Sequence, residues 1–201
     1  MKKSYFIIFV LFISGCAASN STINNAYRNP EFDRMPAYKT MLMPLGYNDL
    51  SVKEANMVNS ELEDYFKYNL SFVKTVKTED SKEFLKKKNL TDANSNFWEA
   101  YLNSGMIDKG FLKKIGTELN VNTVLYSQVT DVNKVFGIHR KVIGSTTAKL
   151  RYTIFSAVTG NLLWDLSVSA TQENAFSDQS VPPTIEAVEI AFSTVLKNLP
   201  F

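Results

Sequence analysis

The sequence predicts an α/β (α+β) domain, in which helices cover a mixed, largely antiparallel sheet. Three observations carry that prediction. Residues 52–70 repeat apolar side chains at steps of three and four, the period of an amphipathic helix. Residues 145–158 and 162–171 instead alternate apolar with polar on either side of Thr159-Gly160-Asn161, the period of two strands joined by a tight turn. Helical and strand-like segments interleave along the chain in the order β-α-β-α-α-β-β-β-α, as a sheet with helical cover requires.

The first sixteen residues precede that pattern. Lys2 and Lys3 are followed by an apolar run from Tyr5 to Phe12 and then by Ile13-Ser14-Gly15-Cys16. A charged start, a short apolar run and small residues before a cleavage site make a secretory signal. The run is too short to span a bilayer, which needs about 20 residues. Ile13-Ser14-Gly15-Cys16 resembles the lipobox of bacterial lipoproteins: an aliphatic residue, a small residue, Gly or Ala, then Cys. The resemblance implies cleavage before Cys16, which then carries fatty acyl chains, palmitate among them, through its thiol. It divides the chain into a signal peptide (1–15), a lipid anchor with a flexible tether (16–37) and one globular domain (38–201). Ala17, where an Asp would imply inner-membrane retention, implies the outer membrane with the domain in the periplasm. Cys16 is the only cysteine, so no disulfide can form inside the domain.

Residues 17–37 are polar and broken by Pro30 and Pro36, which reads as a tether with little structure. Such a coil spans about 25 Å. Residues 38–45 form the first strand, and the consecutive Met41, Leu42 and Met43 suit burial on both faces. Ser51 caps the helix of residues 52–70, with Glu54 at the capping-box position. Residues 72–76 read as a short second strand. Residues 79–88 read as a short charged helix ending in Lys86, Lys87 and Lys88, where cations suit the helix dipole. Phe97, Trp98, Tyr101 and Leu102 make an aromatic helical turn within residues 94–102. Asp108 caps a helix with Leu112, Ile115 and Leu119 on one face, and Gly116 there permits close packing on a sheet.

Residues 121–136 are a buried strand. In residues 145–158, Ala148, Leu150, Tyr152 and Ile154 oppose Lys149, Arg151 and Thr153. In residues 162–171, Trp164, Leu166, Val168 and Ala170 oppose Asp165, Ser167 and Ser169. Each of these strands should have one buried and one wet face. Pro182 and Pro183 open a last helix with Ile185, Val188, Phe192, Leu196 and Leu199 on its buried side.

Composition narrows function by exclusion. The net charge of +2 disappears when Lys2 and Lys3 leave with the signal, and no long basic run remains. Nucleic acid is therefore not expected as a partner. His139 is the only histidine, and Asp131 its only nearby acidic neighbour in sequence, too little for a zinc site. No Gly-x-Ser-x-Gly elbow and no phosphate-cradling glycine loop occurs. Carboxylates cluster on exposed helix faces, as at Glu61, Glu63 and Asp64. The expectation is a non-enzymatic protein without metal or cofactor. The candidate partner-binding residues are His139, Arg140 and Lys141, a basic loop tip with Phe136, Ile138, Val142 and Ile143 as apolar shoulders. The helix of residues 52–70 is a second contact candidate.

Four segments carry a wider resemblance: Met41-Leu42-Met43-Pro44-Leu45; Phe72-Val73-Lys74-Thr75-Val76; residues 118–127; and Val158-Thr159-Gly160-Asn161-Leu162-Leu163-Trp164. Together they resemble the superfamily that joins the curli-secretion lipoprotein CsgG, the penicillin-binding-protein activator LpoB and the N-terminal domain of TolB. The similarity spans residues 38–199. Ser156 and Ala157 stand where that pattern usually has an Asp before the turn, and long membrane-spanning hairpins are not apparent. The resemblance implies an outer-membrane lipoprotein that binds another envelope protein as an assembly or regulatory factor. The alternative it implies is a subunit of an oligomeric secretion or surface-appendage complex, hence a homo-oligomer. An envelope hydrolase, with a polar cleft near His139, is a third and weaker expectation.

Overall fold

The computed structural model describes residues 19–34, 38–137, 144–174 and 180–201. Cys16, His139, Arg140 and Lys141 lie outside the described residues. Six strands are present: β1 (Ser19–Arg28), β2 (Lys39–Leu42), β3 (Lys74–Val76), β4 (Thr123–Val135), β5 (Ser145–Ser156) and β6 (Leu162–Glu173). Five helices accompany them: α1 (Val52–Asn69), α2 (Thr78–Lys87), α3 (Thr91–Ser104), α4 (Lys109–Leu119) and α5 (Thr184–Lys197). The strands form one sheet in the order β1-β6-β5-β4-β2-β3. β1, β6, β5 and β4 are antiparallel, while β2 lies parallel to both β4 and β3. The expected α/β class and mixed sheet are therefore those of the protein.

Alternation along the strands builds two cores. Leu42, Leu125, Leu150, Ile154 and Val168 face α1 and α5, packing on Val58, Leu62, Phe66, Val188 and Phe192. Their neighbours Met41, Val124 and Phe155 face the other way, onto Leu85 of α2, Phe97 of α3 and Leu112 of α4. The consecutive apolar residues of β2 thus serve both layers. The second layer is incomplete. Its helices cover β2, β3 and one end of β4 and β5, and among the described residues they leave most of the same face of β6 and β1 uncovered.

Local chemistry explains the ends of the elements. The Ser51 side chain accepts from Glu54 N–H and the Glu54 carboxylate accepts from Ser51 N–H, the reciprocal capping box. The Asp108 carboxylate accepts from Phe111 N–H and starts α4. Gly160 takes φ +76° in the β5–β6 turn, a conformation that costs other residues strain. Lys88, at the end of α2, pairs with Glu118 at 2.7 Å.

Gly116 does what close packing demands. A Cβ at that position would lie 2.3 Å from the Ala157 carbonyl oxygen. Alanine ordinarily favours a helix over glycine by about 1 kcal/mol. Here Gly116→Ala is expected to lower stability by about 1–3 kcal/mol, because backbone rather than a flexible side chain must move. Urea unfolding reads the change, and a midpoint at or above wild type would show that α4 can lift off freely.

The expected order β-α-β-α-α-β-β-β-α is corrected in two places. Three helices, not two, separate β3 from β4, because residues 91–104 form a full helix. A strand also precedes all the others. Residues 17–37 read as a tether with little structure, yet Ser19–Arg28 is the edge strand β1, laddered to β6. Its sequence hides this because all ten residues are exposed and no apolar alternation is needed. Side chains assist the ladder: Asn24 Nδ2 donates to Ser169 Oγ at 2.7 Å and Asn25 Nδ2 to Asp165 Oδ2 at 3.0 Å. After β1, Phe32 is buried against Tyr38 and Phe201, with ring centroids 5.0 and 5.3 Å away. Residues 19–34 of the stretch belong to the fold.

Candidate functional site

The uncovered part of the sheet, walled by α3, forms a groove of two adjoining clefts. The first holds about 740 Å³ and is walled by Trp98, Leu102 and Tyr126. The second holds about 570 Å³ above Asn24, Asn25, Lys149, Arg151, Asp165 and Ser167. Asn48, Leu102, Asn103 and Gln128 line both, so the two are continuous.

The aromatic wall follows from helical spacing in α3. Phe97 and Tyr101 point into the second core, and Trp98, one step round, reaches the groove half-buried. Its ring stacks on Tyr126 at 4.8 Å and 16°, and on Tyr101 at 5.5 Å and 24°. Trp98 Nε1 donates to Gln128 Oε1 at 3.2 Å, and Tyr126 OH donates to Asn94 Oδ1 at 2.6 Å. Gly46 makes room for that amide: a Cβ there would lie 1.9 Å from Gln128 Oε1. The junction between the clefts is thus fixed from both sides.

The polar floor centres on Asp165, which is only 2% exposed. Its Oδ1 accepts from Arg151 Nε at 2.8 Å and from Thr153 Oγ1 at 2.7 Å. Its Oδ2 accepts from Arg151 Nη2 at 3.1 Å and from Asn25 Nδ2 at 3.0 Å. The Arg151 guanidinium lies 4.8 Å from the Tyr101 ring centroid and donates to Tyr101 OH at 3.1 Å. Burial, with the negative Asp165 nearby, pushes the Tyr101 hydroxyl up to about 12. Burial lowers the Arg151 value, but the hydrogen bonds and charge of Asp165 outweigh it and raise the guanidinium overall. Burial alone pushes the Tyr126 hydroxyl far up. These groups keep one protonation state across the physiological range. With Tyr101 OH, which donates to Oδ1 at 3.5 Å, five donors surround the carboxylate, so the arrangement presents a fixed pattern of donors and acceptors.

One group on the floor is unmatched. Ser167 is 7% exposed, and its Oγ has no hydrogen-bond partner among the described residues. Among the described residues, no cluster of three or more His, Cys, Asp or Glu could hold a metal ion. No described helix is long and apolar enough to cross a membrane.

Cys16 and the loop tip His139, Arg140 and Lys141 lie outside the described residues. The helix of residues 52–70 exists, with Ala55, Val58, Leu62 and Phe66 buried and Met57 and Tyr68 exposed. Asp131 stands opposite Lys149 in the β4–β5 ladder. Sequence reasoning placed Arg151, Asp165 and Ser167 on a wet face and missed the site. The available signal was opposite charge on one face of one hairpin: Asp165 pairs with Thr153, two residues from Arg151.

No protein-family model matches the chain, and no curated protein matches it. Solved structures do resemble it. Lipoprotein GNA1162 from Neisseria meningitidis is 18% identical, with a TM-score of 0.50 over 81% of this chain and 99% of its own. Hypothetical protein CT253 from Chlamydia trachomatis is 10% identical, with a TM-score of 0.51 over 81% of this chain and 95% of its own. The LpoB C-terminal domain from Escherichia coli is 13% identical, with a TM-score of 0.41 over 70% of this chain and 92% of its own. At these identities, the first two likenesses are likenesses of fold.

Proposed function

We propose that this protein is a lipoprotein anchored to the outer membrane through Cys16, and that its domain is a non-enzymatic assembly or regulatory factor that binds another envelope protein. The groove is its contact surface. The observation that carries the reading is the groove's construction. An aromatic wall and an amide-rich floor are held rigid, and the Tyr101 hydroxyl and Arg151 guanidinium between them are locked in one state. Rigid, partly apolar and rich in neutral amides, such a surface suits recognition more than chemistry. The lipobox supports the location, and a lipid anchor raises the domain's effective concentration beside its partner. Kinship with CsgG and TolB remains part of this proposal.

Position along the sheet adds a constraint. Arg151 stands opposite Gln128 on β4, six residues before Lys134. At about 3.3 Å per residue the groove lies about 20 Å from the end of the sheet where β1 begins. A partner must therefore reach to within about 20 Å of the membrane.

The test is photo-crosslinking of the lipidated chain in its own membranes. Asn103 and Asn48 are exposed groove residues outside both cores. Asn103→Arg is expected to cut a groove-specific crosslink about tenfold, through an added charge and steric block, without changing folding or membrane binding. Tyr68→Arg, on the exposed face of α1, is expected to leave it unchanged. The reverse pattern would move the contact to α1.

The second reading, a subunit of an oligomeric secretion or surface-appendage complex, is favoured by β1. Among the described residues no strand pairs with its outer edge, and all ten of its residues are exposed, so it could pair with another chain. Light scattering on the chain lacking residues 1–18 separates the two. A monomer across a concentration series supports the adaptor, and a stable ring supports the complex.

A further inference from the structure

We propose that the end of the domain formed by Val52, Val135 and Phe136 rests in the lipid headgroup layer, so that the groove is held upright above the bilayer in one orientation. The inference rests on the reading of Cys16 as the lipid-bearing residue. Register supplies the geometry. Ser19 pairs with Gln172, Gln172 with Thr146, and Thr146 with Lys134. These four residues form one row across β1, β6, β5 and β4. Strands are about 4.8 Å apart, so Ser19 and Lys134 are separated by about 14 Å.

Both chain directions leave that row on the same side. Cys16 is three residues before Ser19, a reach of at most about 10 Å. Phe136 is two residues beyond Lys134 and 69% exposed. It therefore lies up to about 7 Å past the row, on the side from which the chain enters β1. β2 runs parallel to β4, and the chain beyond it passes the Gly46–Gln128 bridge heading toward this end before α1 begins. The hydrogen bonds from Ser51 hold the Glu54 carboxyl below its usual range, and the charge of Lys134 adds to that lowering. Val52, beside it, is 65% exposed and Val135 is 39% exposed.

The occupant of this apolar end follows from the tether. Had residues 17–37 been a loose coil, the domain could tumble, and Phe136 could face anything. With β1 starting at Ser19, only Ala17 and Ala18 separate the sheet from the acylated residue. Acyl chains insert from the headgroup boundary, and interfacial side chains sit about 5–10 Å into it. Phe136 is within that depth. Burial of Val52, Val135 and Phe136, exposed apolar side chains of this end, drives the contact.

The test uses the lipidated full chain in vesicles of phosphatidylethanolamine and phosphatidylglycerol. Acylation consumes the Cys16 thiol, so Phe136→Cys supplies the single reactive thiol for an environment-sensitive fluorophore. Its emission is expected to shift to shorter wavelength on vesicle binding and to be quenched by nitroxide lipids. The same label at Lys87→Cys, at the end of α2 away from this row, is expected to do neither. A label at position 136 that remains in water while the chain stays vesicle-bound overturns the proposal and leaves the anchor intact. If the wild-type chain itself takes the label, Cys16 bears no lipid, and the reading beneath the proposal falls with it.

Discussion

Replacing Asp165 by alanine is expected to destabilise the domain by about 3 kcal/mol, the scale for breaking a buried charge pair from one side. Asp165 is 2% exposed and joins three strands: Arg151 and Thr153 of β5 and Asn25 of β1 all donate to it. Removing it strands a guanidinium that already lies against the Tyr101 ring. Arg151→Ala should cost less, about 1–2 kcal/mol, because its side chain retains 26% of its exposure and the carboxylate keeps its other donors. The double replacement Arg151→Met with Asp165→Leu should recover part of the loss, since an apolar pair leaves no unpaired charge. Urea unfolding midpoints measure all three. An Asp165→Ala cost below about 1 kcal/mol would mean that water already reaches the carboxylate and that the groove floor is not rigid. The groove reading would weaken with it.

Cys16→Ala is expected to move the protein from almost wholly membrane-bound to almost wholly soluble. Each buried methylene contributes about 0.8 kcal/mol, and one acyl chain alone holds only marginally, whereas two or three anchor firmly. Removing all of them should lower the membrane-bound fraction by at least about a hundredfold. Phe136 and its neighbours cannot compensate, since one aromatic side chain contributes about 1.5–3 kcal/mol when fully buried. Thermal unfolding should be unchanged, because the ladder that holds β1 starts at Ser19. Membrane fractionation followed by a melting curve gives both readings. Continued membrane association would show that a partner or the domain's own surface suffices.

Much of the architecture is legible without coordinates because its signals are local. The capping box at Ser51, the apolar face of α1, the Gly160 turn and the alternation of β5 and β6 each follow from a few neighbouring residues. β1 is illegible for a physical reason. An exposed edge strand held by backbone bonds and by asparagine and serine contacts needs no hydrophobic pattern, and its composition matches that of a loop. The groove is hidden for a related one. Asp165 and Ser167 occupy the polar positions of an alternating strand, which usually face water. They are buried because β1, the strand that could not be foreseen, lies beside them. A reading of β1 as tether hides the buried ion pair beside it.

The most direct measurement of the central claim is a crosslinking map of the lipidated chain in its native membranes, with a photoreactive residue placed in turn at Asn48, Asn103, Tyr68 and Lys87. The account predicts a single protein adduct from Asn48 and Asn103, lost when Asn103→Arg is combined with the Asn48 probe, and none from Tyr68 or Lys87. Adducts from Tyr68 or Lys87 with silence in the groove would contradict it.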